Sequence, residues 1–143
     1  MRSNWPQTLW LIRHGQSAGN VARDAAEAGG LARIALEWRD IDVPWSELGK
    51  TQSAALGEWF GALAQDEQPQ VILCSPCLRA KQTAALVAQG VHPGGHASKL
   101  RIDERLREKE FGILDRLTKL GIQQQHRRAA PSCRQVLFPS ARR

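Results

Sequence analysis

The sequence contains no long apolar segment. No stretch approaches the roughly 20 apolar residues that a membrane span requires. The first apolar run, residues 9–12, is also far shorter than the core of about 7–15 residues in a signal peptide. We therefore expect a cytoplasmic protein that has no membrane partner.

Cysteine is scarce as well. The chain has three cysteines, Cys74, Cys77 and Cys133. An odd, low count fits a reducing compartment and argues against a disulfide framework. Cys74 and Cys77 form a C-x-x-C, the spacing of redox and zinc sites, but no second Cys/His pair completes a zinc site. We interpret Cys74 as the packed end of a buried strand and expect no metal.

Acidic residues are absent from the last part of the chain. Residues 126–143 carry five arginines and no acid, and they supply most of the formal net charge of +6. We interpret residues 1–125 as the domain and 126–143 as a basic, disordered tail. The tail could attract nucleic acid electrostatically, but the chain lacks a folded basic face, so we do not expect nucleic acid as a partner.

Short apolar runs alternate with helical patterns along residues 1–125. Strands are predicted at 8–12, 71–74 and 100–106. Helical patterns cover 19–40, with an interruption at Gly29-Gly30, and then 50–65 and 75–89. This alternation predicts an α/β fold with a largely parallel sheet.

Two of the predicted helices carry recognisable start signals. Ser46 can cap the helix over 50–65, and Ser75 can cap the next one, with Pro76 in its first position. The helix over 50–65 has one apolar face with i, i+3, i+4, i+7 spacing, formed by Leu56, Trp59, Phe60 and Leu63.

The first two predicted strands end in residues suited to an anion. The first is followed by Arg13-His14-Gly15, and the second leads into a segment that contains Arg79. Ligands of parallel α/β sheets gather beyond the carboxyl ends of the strands. We therefore expect Arg13, His14 and Arg79 to meet in one pocket.

These side chains suit phosphoryl transfer. Guanidinium groups pair bidentately with phosphate oxygens, and a neutral histidine nitrogen can attack phosphorus and hold the phosphoryl group covalently. Gly15 would allow a tight turn, and Asn20 can add a neutral donor. The leaving oxygen also needs a proton, and either Glu108 or Glu110 could supply it from the segment after the third strand.

Four stretches resemble the histidine phosphatase superfamily, in its phosphoglycerate-mutase-like group. They are, in the family's order, "LIRHGQSAGN", "SELGKTQSAALGEW", "SPCLRAKQTA" and "LREKEFGILD". The resemblance extends over residues 8–125. It implies the N-terminal portion of a three-layer α/β sandwich with a largely parallel sheet, and it implies no cofactor.

The resemblance also implies a role for each matching residue. His14 would be the nucleophile, Arg13 and Arg79 would bind the phosphoryl group with help from Asn20, and Glu108 rather than Glu110 would donate the proton. The reaction would be hydrolysis of a small phosphomonoester or, as in the mutases of the family, return of the phosphoryl group to an acceptor.

One family feature has no match. The family carries a second pocket histidine in an "S-H-G"-like motif toward its C-terminus, whereas the remaining histidines here, His92, His96 and His126, follow no apolar run. We therefore expect a domain that lacks its C-terminal part and that could self-associate through an incomplete sheet. The alternative function is a catalytically defective fragment or a phosphate-binding protein, and a nucleic-acid binder is a weaker third.

Overall fold

A computed structural model describes residues 6–91 and 99–125 of the chain. These residues divide into two compact units, one of residues 6–19, 38–91 and 99–108, the other of residues 20–37 and 109–125. The helices and strands are α1 (Ala18–Ala28), α2 (Glu47–Ala62), β1 (Val71–Cys74), α3 (Leu78–Val91), β2 (Lys99–Ile102) and α4 (Lys119–Gln125). The tail predicted over 126–143 lies outside the described residues and stays a prediction.

Strands β1 and β2 form a parallel pair, which confirms the predicted direction of the sheet. The register runs from Val71 opposite Lys99 to Cys74 opposite Ile102. The Asp103 amide then donates to the Cys74 carbonyl over 2.8 Å. Both strands therefore end at the same edge, and the segments that follow them leave the sheet side by side.

The strand predicted over residues 8–12 is wrong. This segment has no strand pairing with any described residue, and the side chains of Leu9 and Leu11 are 73% and 90% exposed. Only Trp10 is anchored, because its ring meets Trp59 edge-on at 5.5 Å. An apolar run becomes a strand only when a neighbour supplies hydrogen bonds, and β1 pairs with β2 instead.

Helix α2 follows the predicted pattern closely. The Ser46 side chain accepts a hydrogen bond from the Gly49 amide over 3.1 Å, so the predicted cap is confirmed. Phe60 is buried with Val87 and Val91 of α3, and Leu56, Leu63 and Ile72 pack around them. Trp59 remains partly exposed and stacks edge-on against Phe60.

Helices α2 and α3 approach each other through glycines. A Cβ built on Gly90 would overlap the Gly57 carbonyl, and one built on Gly57 would overlap the Leu86 carbonyl. The two backbones are thus closer than any side chain would allow. This contact fixes α3, which begins with the segment that carries Arg79.

Two helix ends differ in detail from the sequence patterns. α3 begins at Leu78, so Pro76 is not its first residue, although the Ser75 hydroxyl does accept from the Cys77 amide over 3.4 Å. α1 stops at Ala28, as the predicted interruption requires, and Gly30 takes a positive φ of 63°. No helix follows within 31–39, because the chain there extends and Arg33 bridges to Leu117.

The second unit is built around Thr118. Its hydroxyl donates to the Leu31 carbonyl over 2.6 Å and accepts from the Gly121 amide at the start of α4. Gly121 also packs directly on the Ala32 backbone.

No helix in the described ranges is long and apolar enough to cross a membrane.

The glycine crossing yields a stability prediction. Glycine to alanine normally stabilises a helix by about 0.5–1 kcal/mol, but in Gly90→Ala the new methyl overlaps backbone. We expect the overlap to dominate and the free energy of unfolding to fall by about 1–3 kcal/mol, measured by urea denaturation.

The matched control is Gln89→Ala, a change at the exposed neighbouring residue of α3, for which we expect a change within about 0.5 kcal/mol. A Gly90→Ala protein as stable as the parent would contradict the close backbone contact between α2 and α3 at Gly57 and Gly90.

Candidate functional site

Parallel pairing brings Arg79 and Glu108 together. Arg79 is the second residue of α3, directly after β1, and Glu108 follows β2 by a short 3₁₀ turn, Glu104–Leu106, which Asp103 caps. The Arg79 Nη2 donates to the Glu108 Oε2 over 2.9 Å. The shared edge of the two strands therefore becomes a charged cluster.

His14 completes the cluster in a defined tautomer. Its Nδ1 lies 2.6 Å from the Gly15 carbonyl oxygen, which can only accept, and its Nε2 lies 3.2 Å from the Arg79 Nε, which can only donate. The partners thus assign the proton to Nδ1 and the lone pair to Nε2. The imidazole presents a nucleophilic nitrogen on its Arg79 side.

Asp40 is a member of the cluster that the sequence patterns did not single out. Its backbone carbonyl accepts from the Arg79 Nη1, and its carboxylate lies 3.2 Å from the Arg79 Nη2. Asp40 sits in a 3₁₀ turn, Asp40–Asp42, within a segment read from the sequence as the end of a helical pattern and the start of a loop. Neither periodicity nor a motif marked it.

The Arg79 guanidinium is buried and donates four hydrogen bonds to described residues. Its side chain is only 6% exposed, whereas those of Asp40 and Glu108 are 64% and 55% exposed. Burial alone would lower the pKa of Arg79, but hydrogen bonds and charge from Asp40, with a further bond from Glu108, outweigh it and raise that pKa above its ordinary value. Arg79 is a permanent cation in this site.

The buried hydroxyl of Thr83 holds the backbone next to His14 and Arg79. The Thr83 Oγ1 accepts from the Gly15 amide over 3.3 Å and from the Trp45 Nε1 over 3.1 Å, and it lies 2.9 Å from the Arg79 carbonyl. The Ser53 hydroxyl adds a fourth contact at 3.1 Å. One side chain of α3 thus ties the turn after His14 to α2 and to the backbone of Arg79.

Gly15 is required by packing. A Cβ at this position would overlap the Gly49 carbonyl and lie 2.8 Å from the Ser53 Oγ. The predicted need for glycine therefore comes from close contact with α2. Any larger residue would push His14 away from the helices that hold it.

An open cavity of about 250 Å³ lies beside His14. Its lining residues are Arg13, His14, Gly15, Gln52, Ser53, Leu56 and Thr83. Arg13 is exposed and makes no hydrogen bond or ion pair with any other described residue. Its guanidinium is thus available to an anion, whereas that of Arg79 is already occupied.

The predicted site residues do not all lie in one pocket. Arg79 contacts both His14 and Glu108. Arg13 lines the cavity beside His14, whereas Arg79 does not line it. Asn20 and Glu110 belong to the second unit. The roles assigned to all of these residues stay predictions.

No metal centre is visible within 6–91 and 99–125, where no three His, Cys, Asp or Glu side chains are placed to hold an ion. Cys74 and Cys77 are buried free thiols, and burial raises the pKa of Cys74.

The model of the histidine phosphatase superfamily (branch 1) matches residues 9–138. The chain belongs to this superfamily. Fructose-2,6-bisphosphatase TIGAR B of Danio rerio is 29% identical over 131 residues, which are 92% of this chain and 45% of that protein.

Solved structures agree with the family assignment. Mycobacterial hydrolase 1 superposes with a TM-score of 0.60 at 30% identity over 85% of this chain and 47% of its own. A mycobacterial glucosyl-3-phosphoglycerate phosphatase solved with VO3 gives 0.58 at 29% identity over 84% and 49%. These neighbours have the phosphoglycerate-mutase-like fold, and the chain spans about half of their length.

The Thr83 hydroxyl carries a second prediction. Thr83→Val keeps the shape of the side chain but removes the oxygen that the Gly15 amide and Trp45 use. We expect the free energy of unfolding to fall by about 1–3 kcal/mol in urea denaturation, because buried donors lose their partner.

Thr83→Ser is the matched control, since it retains the hydroxyl, and we expect it to stay closer to the parent than the valine variant. Equal stability of the valine variant and the parent would show that the hydroxyl holds nothing together.

Proposed function

We propose that this chain hydrolyses small phosphomonoesters through a phosphohistidine formed on His14. The carrying observation is the tautomer of His14, whose Nδ1 is held by the Gly15 carbonyl while the Nε2 lone pair faces a permanent cation. In this tautomer the Nε2 lone pair can attack phosphorus once it gives up the hydrogen bond from the Arg79 Nε.

Two arginines would hold the phosphoryl group. Arg13 has donors to spare at the cavity, and Arg79 is fixed beside the Nε2 of His14. In phosphoryl transfer the charge spreads over the equatorial oxygens, so cations placed in advance carry much of the rate acceleration. Asn20 is proposed as an additional neutral donor.

Glu108 would move the proton. In the first step Nε2 of His14 bonds to phosphorus, the ester P–O bond breaks, and the leaving oxygen takes a proton from the Glu108 carboxyl. In the second step water attacks phosphorus, gives its proton to the Glu108 carboxylate, and the P–N bond breaks to release phosphate. The location of Glu108 supports this role, because its Oε2 lies 2.9 Å from the Arg79 Nη2, in the cluster that also contains His14.

Hydrolysis is favoured over mutase chemistry by the relatives' names. A fructose-2,6-bisphosphatase and a glucosyl-3-phosphoglycerate phosphatase are both named as phosphatases.

We propose that the substrate is a small phosphorylated molecule. We also propose a cytoplasmic location, because the sequence has no long apolar run. Self-association also stays a proposal, supported by exposed apolar residues on both strands, among them Leu73 and Ile102.

The second candidate is phosphate binding without turnover. It is favoured by one observation, that none of the other histidines, His92, His96 and His126, follows an apolar run as the family's second pocket histidine does. The phosphoryl group would then meet two arginines and one imidazole, a set that can bind an anion whether or not it can transfer it.

Removal of His14 tests the nucleophile. We expect His14→Ala to reduce hydrolysis of 4-nitrophenyl phosphate by roughly a thousandfold or more. In rapid-quench experiments with a 32P-labelled phosphomonoester, the parent should carry a base-stable, acid-labile label at His14.

Circular dichroism controls for folding of the variant. Equal rates for parent and variant would place the nucleophile elsewhere. If the folded parent binds phosphate but neither protein turns over, the second candidate is correct.

Replacement of Glu108 tests the proton donor. We expect Glu108→Gln to lower kcat/KM by about 10²–10⁴-fold for an alkyl phosphate, whose leaving oxygen must be protonated. With 4-nitrophenyl phosphate the loss should be much smaller, because 4-nitrophenolate departs without a proton.

Glu110→Gln is the matched control, two residues away, and should leave the comparison between the two substrates unchanged. The same pattern in Glu110→Gln but not in Glu108→Gln would exchange their roles.

A further inference from the structure

Asp40 covers one whole edge of the Arg79 guanidinium. Its backbone carbonyl accepts from Nη1, and its carboxylate accepts from Nη2 over 3.2 Å. This pair of contacts is the fork that a phosphate would use for bidentate binding. In the structure, therefore, Asp40 occupies the Arg79 edge with its own anion.

Nε and Nη2 of Arg79 are engaged as well. Nε donates to Nε2 of His14, and Nη2 donates to Glu108 as well as to Asp40. A phosphoryl group can therefore bind Nη2 only when a carboxylate moves away. The choice between the two carboxylates follows from what each loses by moving.

Asp40 can leave when another anion takes its place. Its side chain is 64% exposed, so the freed carboxylate is solvated at once, and the buried Arg79 keeps the Glu108 carboxylate while a phosphoryl group replaces that of Asp40. The bond from Arg79 Nη1 goes to the backbone carbonyl, so it survives the movement of the side chain. Arg79 would keep its position while its Nη2 becomes available to a ligand.

We propose that the Asp40 carboxylate is an internal competitor of the substrate phosphoryl group for Arg79. It is a specificity-determining residue, because it sets the affinity of the site for phosphate and favours release of the phosphate product. This inference rests on the proposed function in one respect, that Arg79 binds the phosphoryl group.

A structural role for the same carboxylate predicts the opposite result. If Asp40 mainly positioned Arg79, then its neutralisation would loosen the guanidinium and weaken anion binding. If it competes, then neutralisation strengthens anion binding. The sign of the change thus separates the two roles.

The same turn offers a matched control. Asp42 pairs with Arg39 through an exposed ion pair of 2.8 Å and makes no contact with Arg79 in the described structure. Asp42→Asn removes one negative charge two residues away from Asp40. It therefore reports the effect of removing one charge from this turn while the contacts of Arg79 stay in place.

The experiment is isothermal titration of the full chain with inorganic phosphate. We expect Asp40→Asn to bind phosphate about fivefold to tenfold more tightly than the parent, because the variant loses both the competing ion pair and the repulsion of the dianion. Asp42→Asn should stay within about twofold of the parent, and Asp40→Glu, which keeps the carboxylate, should bind more weakly than Asp40→Asn.

Unchanged or weaker binding by Asp40→Asn overturns the proposal, as does equal tightening in Asp42→Asn. Hydrolysis of 4-nitrophenyl phosphate by the parent is measured alongside. If the parent turns over while Asp40→Asn binds no more tightly, only the role of Asp40 fails. If no protein binds phosphate and the parent is inactive, the proposed function fails with it.

Discussion

The buried guanidinium of Arg79 is the interaction on which the rest of the first unit depends. A cation that is almost removed from water must be compensated on every side. Here the compensation comes from four groups on three residues: the imidazole of His14, the carbonyl and carboxylate of Asp40, and the carboxylate of Glu108. The three residues lie in different segments, so one side chain gathers otherwise separate parts of the chain.

The scaffold places Arg79 by simple means. Parallel pairing ends β1 and β2 at one edge, so the segments bearing Arg79 and Glu108 leave the sheet together. Glycine contacts bring α2 and α3 into backbone contact, and Ser53 and Thr83 join the same helices beneath His14. Backbone geometry thus brings the charged groups within reach of one another, and their hydrogen bonds to Arg79 complete the cluster.

Much of this arrangement could be predicted from the sequence, because it depends on local patterns. The strand over 71–74, the cap at Ser46 and the interruption at Gly29-Gly30 each have a short-range cause, and each is present. The segment over 8–12 could not be resolved the same way. Its apolar residues satisfy a strand pattern, but a strand also needs a partner, which no local pattern supplies.

Asp40 was missed for a related reason. An aspartate at the end of a predicted helical pattern looks like a solvated residue, and only the tertiary structure brings it to Arg79, 39 residues later. His14, Arg79 and Glu108 were singled out because strand ends and family motifs mark them. Side chains that modulate a site, rather than define it, leave no comparable trace in a single sequence.

The position of Thr83 has a consequence for the geometry of the site. Its one hydroxyl contacts both the amide that follows His14 and the carbonyl of Arg79. The backbone next to the imidazole and the backbone that carries the guanidinium are therefore held by the same atom. The placement of the attacking nitrogen relative to the neighbouring cation thus depends on a side chain that touches neither of them.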